Sequence, residues 1–237
     1  MSKVKKIIIA ALIFVVLAIV AMIPIPYVIE SPGTAEEVSQ FLTISGAKDE
    51  DPGSLRVLTV YVEQATVLTY FKKFLKHHEM VPSEEVFGDY TPEEFNALQE
   101  FSMRNARSKA VRVAFEAAGK TVERQVNGIF VTRVDKNSNF RDKLQVGDII
   151  ETIDGKSPGN TDESFEALRD YLAGLEPGHT LVLQVKRDDA TQTISAQLKM
   201  NSRTGGIRLG FAGEVDEDVT SDPSVEFDPH GVSGPSG

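Results

Sequence analysis

Ser236 is the residue whose setting most invites chemistry. It follows Gly234 and Pro235 and precedes Gly237, so little side-chain bulk stands beside its hydroxyl and another backbone can approach closely. A serine placed where a helix begins would also sit beside unpaired backbone N–H groups, which suit a developing oxyanion. Gly/Pro/Ser strings make ordinary turns as well, so the rest of the chain has to decide between the two readings. His230 lies upstream of the serine, and nothing in its spacing orients it as a base. Other candidates fall on spacing alone. A zinc motif H-E-x-x-H beginning at His78 would need a histidine where Pro82 stands, and the adjacent His77 and His78 project about 100° apart on a helix. The pair reads as a solvated helix end. Gly155-Lys156-Ser157 mimics the close of a P-loop, but the first glycine of that motif would fall at Ile150, so no nucleotide site follows. With no cysteine in 237 residues, disulfides, thiolate nucleophiles and Cys-based zinc sites are excluded.

The net charge of −10 offers no basic patch for a phosphate backbone, which excludes nucleic acid as an expected partner. Lys3, Lys5 and Lys6 precede an uncharged apolar run from Ile7 to Ile25. A helix over that run is about 28 Å long, close to the hydrocarbon core of a bilayer. The lysines favour a cytoplasmic N-terminus, so a single-pass anchor in the cell membrane exports the remainder. A cleaved signal peptide would need a small-x-small site, and Ile19-Val20-Ala21 is a poor one. Beyond the run, strands are expected at Val38–Ile44 and Leu55–Glu63, and a helix with an apolar stripe over Ala65–His78. A longer helix opens with Thr91 as N-cap and Pro92 at N1, and stops at Gly119. Its Arg104, Arg107, Lys109 and Arg112 read as a solvated basic face.

The rhythm changes after residue 125. Gly128–Val134 reads as a strand, Gly147-Asp148-Ile149-Ile150 opens another, and Asp154-Gly155 makes a hairpin turn. Asn160 or Thr161 caps a helix through Leu172, and a hairpin over Leu181–Leu198 closes across Asp188-Asp189. The string from Leu144 to Lys156 (LQVGDIIETIDGK), with that helix and hairpin, resembles the PDZ family. The resemblance implies peptide binding by strand addition, with Gly128, Ile129, Phe130 and Val131 as the receiving strand and Phe165 and Leu168 on the opposing helix. Val126-Asn127-Gly128-Ile129-Phe130 stands where that family has a Gly-Leu-Gly-Phe loop, which leaves capture of a terminal carboxylate and of an internal segment both open.

After Asn201 a new stretch is expected. Glu214 to Asp228 carries seven carboxylates and no basic residue, read as solvated acidic loops. An exported anchor, a PDZ-like module and then the segment from Val225 to Gly237, ending Gly-Pro-Ser236-Gly, together resemble bacterial membrane-anchored PDZ proteins with a C-terminal Lon-type peptidase domain. That likeness covers nearly the whole chain, including Tyr27–Gly33 and the helix from residue 91 to 119; Gly237 stands where that family has alanine. It implies Ser236 as the nucleophile of a Ser-Lys dyad whose lysine falls beyond Gly237, so the chain is expected to be a fragment without activity. Peptide or protein substrates are implied, with no cofactor and no nucleotide. The expected fold is α+β, with an anchor over 1–26, a strand-and-helix region over 27–124, a PDZ domain over 125–200 and an incomplete Lon-like domain over 201–237. The alternative is a tethered, non-enzymatic PDZ adaptor. Trypsin-like PDZ proteases do not fit, because no His…Asp…Ser set precedes the PDZ-like part.

Overall fold

The computed structural model describes residues 3–46, 53–228 and 232–234. Ser236, Gly237 and His230 therefore lie outside the described residues. Two compact units divide the chain: residues 1–40 with 51–92, and residues 41–50 with 93–237. The long helix expected to end a first region goes with the second unit instead.

In chain order the elements are α1 (Lys3–Ala21), β1 (Pro24–Glu37), α2 (Val38–Phe41), β2 (Leu42–Ile44), β3 (Arg56–Thr66), a 3-10 helix (Thr69–Phe74), β4 (Glu79–Pro82), α3 (Ser83–Phe87) and α4 (Pro92–Ala117). They continue with β5 (Val122–Val134), β6 (Ile149–Ile153), α5 (Asp162–Ala173), β7 (Thr180–Arg187), β8 (Ala190–Gln197), β9 (Lys199–Met200), β10 (Ile207–Arg208), β11 (Phe211–Ser221) and β12 (Val225–Phe227).

α1 is long and apolar enough to cross a membrane, and a signal sequence near an N-terminus meets the same description. It ends four residues earlier than the apolar run, because Pro24 and Pro26 begin β1 and prolines cannot extend a helix. In the first unit β1 lies between β3 and β4, all antiparallel. Val28, Ile29 and Ala65 are its buried apolar residues.

Two expectations for residues 38–78 are corrected. Residues 38–44 are a helical turn followed by a short strand that pairs with β12, rather than one strand. The helix expected over Ala65–His78 is absent: β3 runs on to Thr66 and only Thr69–Phe74 is helical, as a 3-10 turn. Local hydrogen bonding is the reason. Thr66 N–H donates to Thr69 Oγ1 (2.7 Å) and Thr69 N–H to Thr66 Oγ1 (3.2 Å), closing a threonine turn that competes with an α-helical start. His77 therefore lies beyond a 3-10 turn with φ +63°, not on an α-helix.

The second unit is built on a five-stranded antiparallel sheet of order β11-β5-β6-β7-β8. Its main core joins Ile129, Val131, Ile150, Ile153, Leu168, Leu181, Leu183, Val185 and Ile194 from strands and α5. α4 starts and stops as the sequence signals, with Gly119 at φ +69° just past its end. Thr161 caps α5 in a reciprocal box with Ser164, while Asn160 Oδ1 accepts from Val126 N–H (3.0 Å). Asp154 (φ 50°) and Gly155 (φ 75°) form one tight turn, and Asp188 (φ 48°) and Asp189 (φ 61°) form the other.

Beyond Asn201 the chain returns to the sheet of the second unit. β11 completes the five-stranded sheet, pairing with β5 from Phe211↔Val134 to Ser221↔Val122. The acidic segment is thus mostly strand, not solvated loop, and the helix α4 supplies the counter-charges described next.

Candidate peptide-binding sheet edge

α4 and β11 meet through charge. Arg104 Nη2 donates to Asp216 Oδ1 (2.9 Å), Lys109 Nζ lies 3.6 Å from Glu214, and Asn105 Nδ2 donates to Glu214 Oε2 (3.2 Å). Glu217 accepts from Arg124 of β5 and has Arg112 of α4 at 3.9 Å. Asp216 and Glu217 are both 3 % exposed, so their carboxylates stand away from water, whereas the Lys109–Glu214 pair is exposed. Burial lowers the Arg124 pKa, but its hydrogen bonds to Asp162 and Glu217 and their charges outweigh it and leave it above the ordinary value. The basic face of α4 expected to be solvated is therefore the clamp that makes an acidic strand foldable.

A second buried pair holds the β6–β7 end. Asp148, 1 % exposed, takes a fork from Arg187: Nε to Oδ1 and Nη2 to Oδ2, each 2.6 Å. Arg187 also donates to Lys143 carbonyl (2.9 Å), and Asp148 Oδ2 accepts from Gln145 N–H (2.8 Å). The bond to Asp148 raises the Arg187 pKa in spite of burial. The Gly-Asp step at 147–148 is structural.

Asp154 gathers three donors at 2.7 Å: Tyr171 Oη–H, His179 Nε2 and Val182 N–H. Burial pushes this carboxyl up, and the three hydrogen bonds outweigh it, leaving it below the ordinary carboxylate value, while the same contact raises Tyr171. A depressed folded pKa contributes stability above the unfolded value of about 3.9, and that stability is lost as pH falls through the lower folded pKa. Asp154→Asn keeps the turn geometry, since asparagine tolerates positive φ. We expect it to cost about 1–3 kcal/mol at pH 7. Urea midpoints should show the gap to wild type closing below about pH 4.

The residues expected to form a groove are distributed otherwise. Ile129, Val131 and Leu168 are buried in the core, with Phe165 packed against it. Phe130 stacks instead on Phe101 of α4, ring centroids 4.0 Å apart and 7° from parallel. Alternation along β5 sends neighbours to opposite faces, so these four residues cannot line one groove. Gly128 sits where a Cβ would meet the Ile150 carbonyl oxygen at 2.6 Å. More decisively, β5 is an interior strand, with β11 on one side and β6 on the other. A strand added along Gly128–Val134, the expected receiving strand, would have to displace β11.

The sheet ends instead at β11 and β8. β8 presents Thr191, Ser195 and Gln197 as exposed polar side chains. β11 begins differently. Leu209 and Phe211 pack half-buried against the core that also takes Phe165 and Leu172 of α5. Between them Gly210 turns with φ +79°, its carbonyl accepting from Asp135 N–H (2.9 Å), and Arg208 donates to Asp135 Oδ2 (3.0 Å). The sequence reading missed β11 because its acids masked a strand; the signal was the half-buried series Phe211, Val215, Val219. Among the described residues no group of three or more His, Asp and Glu is placed to hold a metal ion.

A family model described as a PDZ domain matches residues 102–198, starting within α4. Two solved structures are similar to the chain. One is the PDZ domain of an SdrC-like protein from Listeria monocytogenes, 23 % identical, covering 38 % of this chain and 90 % of that one, with a TM-score of 0.32. The other is the PDZ domain of an SdrC-like protein from Listeria innocua, 24 % identical, covering 37 % and 94 %, with a TM-score of 0.33. No curated protein matches the chain. By the family model, the chain carries a PDZ domain.

Proposed function

We propose that this protein binds extended peptides by adding them as a sixth strand along the outer edge of β11, and presents them to a Lon-type serine endopeptidase centre at Ser236. The observation that carries the binding reading is the strand order: β11 ends the sheet while β5, the strand first expected to receive a peptide, is enclosed. PDZ domains bind by strand addition, in which main-chain hydrogen bonds give affinity and pockets for alternate side chains give selectivity. Leu209 and the half-buried Phe211, at the start of β11, are the apolar residues that could supply such contacts. The endopeptidase reading rests on the sequence resemblance around Ser236, whose attack would need a neutral lysine as base and backbone N–H groups for the oxyanion. α1 serves as the retained span, with Lys3, Lys5 and Lys6 on the cytoplasmic side.

The test begins with an array of ten-residue peptides bearing free carboxyl termini. With the best binder present, amide exchange should slow across Phe211–Ser221; slowing confined to Ala190–Gln197 would overturn the assignment of the edge. Cleavage of the same peptides by the protein expressed from its own reading frame should vanish with Ser236→Ala. Unchanged cleavage, or binding with none, would remove the endopeptidase reading and leave strand addition standing.

A further inference from the structure

The first unit exposes an apolar stripe that its own sheet does not cover. Leu68, Phe71 and Phe74 are 64 %, 65 % and 74 % exposed. Their spacing of three matches the three residues per turn of the 3-10 helix Thr69–Phe74, so they line one side of it. Leu75, also exposed, follows at its end.

This turn is held at the end of α1. Leu68 N–H donates to the Ala21 carbonyl (3.0 Å) and Val67 N–H to the Ile23 carbonyl (3.1 Å). Ala21 is the last residue of that helix. The uncharged part of α1, from Ile7 to Ala21, is about 22 Å long at 1.5 Å per residue, short of the roughly 30 Å hydrocarbon core. Apolar surface is therefore needed where α1 stops, and Met22, Ile23, Val67 and the 3-10 stripe are among the exposed apolar residues there.

Charge flanks the stripe on the same short element. Lys73 lies 3.7 Å over the Tyr70 ring and 5.1 Å from the Phe74 ring, and Lys72 pairs with Glu63 at 2.5 Å. Lys76 follows and is exposed. Long lysine stems lie along apolar surface and hold their ammonium groups at the polar boundary, and an amphipathic element with lysines beside aromatic residues favours anionic lipid.

We infer that Leu68–Leu75 is a second membrane contact: Leu68, Phe71 and Phe74 enter the acyl boundary of the bilayer that holds α1, with Lys73 and Lys76 among anionic headgroups. The inference rests on α1 being a retained span.

The chain has no tryptophan, so single Trp variants report depth cleanly. The full chain is placed in vesicles of equal parts phosphatidylcholine and phosphatidylglycerol, with bromine carried either near the headgroup end or near the tip of the acyl chains. Phe71→Trp and Phe74→Trp, both at exposed positions, should emit to the blue and be quenched by bromine near the headgroup end. Leu12→Trp in α1 should be quenched by bromine near the chain tips. Leu58→Trp, also exposed but about 26 Å along β3 from Thr66 at 3.3 Å per residue, should not be quenched. Water-like, unquenched emission from Phe71→Trp and Phe74→Trp with Leu12→Trp still quenched overturns the inference and spares the span. Blue emission without quenching would mean that a protein surface covers the stripe, which also overturns it. Absence of quenching at Leu12→Trp removes both the span and this contact.

Discussion

Replacing Arg187 by alanine is expected to destabilise the second unit by about 3–5 kcal/mol, as seen when one partner of a buried ion pair is removed. The Asp148 carboxylate would remain buried, keeping the Gln145 amide as a donor but losing both arms of the fork. Arg187→Lys should recover little, since an ammonium cannot make two parallel bonds to one carboxylate. Removing both charged partners should cost less than the sum of the single losses, because neither is then left unpaired. Arg133→Ala supplies the contrast. Its bond to Asp135 is 3.4 Å long and its side chain 64 % exposed, so its loss should change stability by less than about 1 kcal/mol. Urea midpoints of the four variants, read on one protein preparation, check the order. A midpoint for Arg187→Ala equal to that of Arg133→Ala would show that the fork carries no stability.

Gly128→Ala should cost about 2–6 kcal/mol. Two terms add. The backbone at φ +149° is open to glycine and strained for any residue with a Cβ, by about 1–3 kcal/mol. The added methyl would also stand 2.6 Å from the Ile150 carbonyl oxygen and 2.7 Å from Ile149 Cγ2, and overpacking of this kind typically costs about 1–3 kcal/mol. Gly178→Ala separates the terms: φ is +92° but nothing lies within 4 Å of its would-be Cβ. It should show the backbone cost alone. Equal thermal midpoints for the two variants would mean that the β5–β6 approach yields without cost.

Gly128 also shows what the sequence could and could not disclose. The sequence marks it only as part of a strand; that the Ile150 carbonyl of β6 approaches it closely is seen only in the fold. Elements fixed by local chemistry were legible: α4 between Pro92 and Gly119, α5 behind its threonine cap, and the turns at Asp154-Gly155 and Asp188-Asp189. Each rests on residues a few positions apart. The failures share a different origin. β11 was hidden because the signs of its carboxylates are cancelled by Arg104, Arg112 and Arg124, residues remote in sequence. The groove went to β5 for the same reason, since only the pairing of β5 with β11 shows that its edge is taken. The apolar stripe read over Ala65–His78 misled in the other direction: Val67, Tyr70, Phe71, Phe74 and Leu75 suit an α-helix, but the Thr66–Thr69 turn fixes the tighter winding. Ser236 stays a matter of sequence alone.

The strand order has a consequence for how the molecule is made. β5 emerges from the ribosome well before β11, with α5 and the β7–β8 hairpin synthesised in between. Until β11 arrives, β5 offers an open, apolar strand edge, the kind of surface that pairs with other chains. Joining the two also requires closing the longest loop in the sheet, and such distant pairings are slow to form. The outer edge of β11 therefore comes into being last, once the arginines of α4 and β5 are in place to receive its carboxylates.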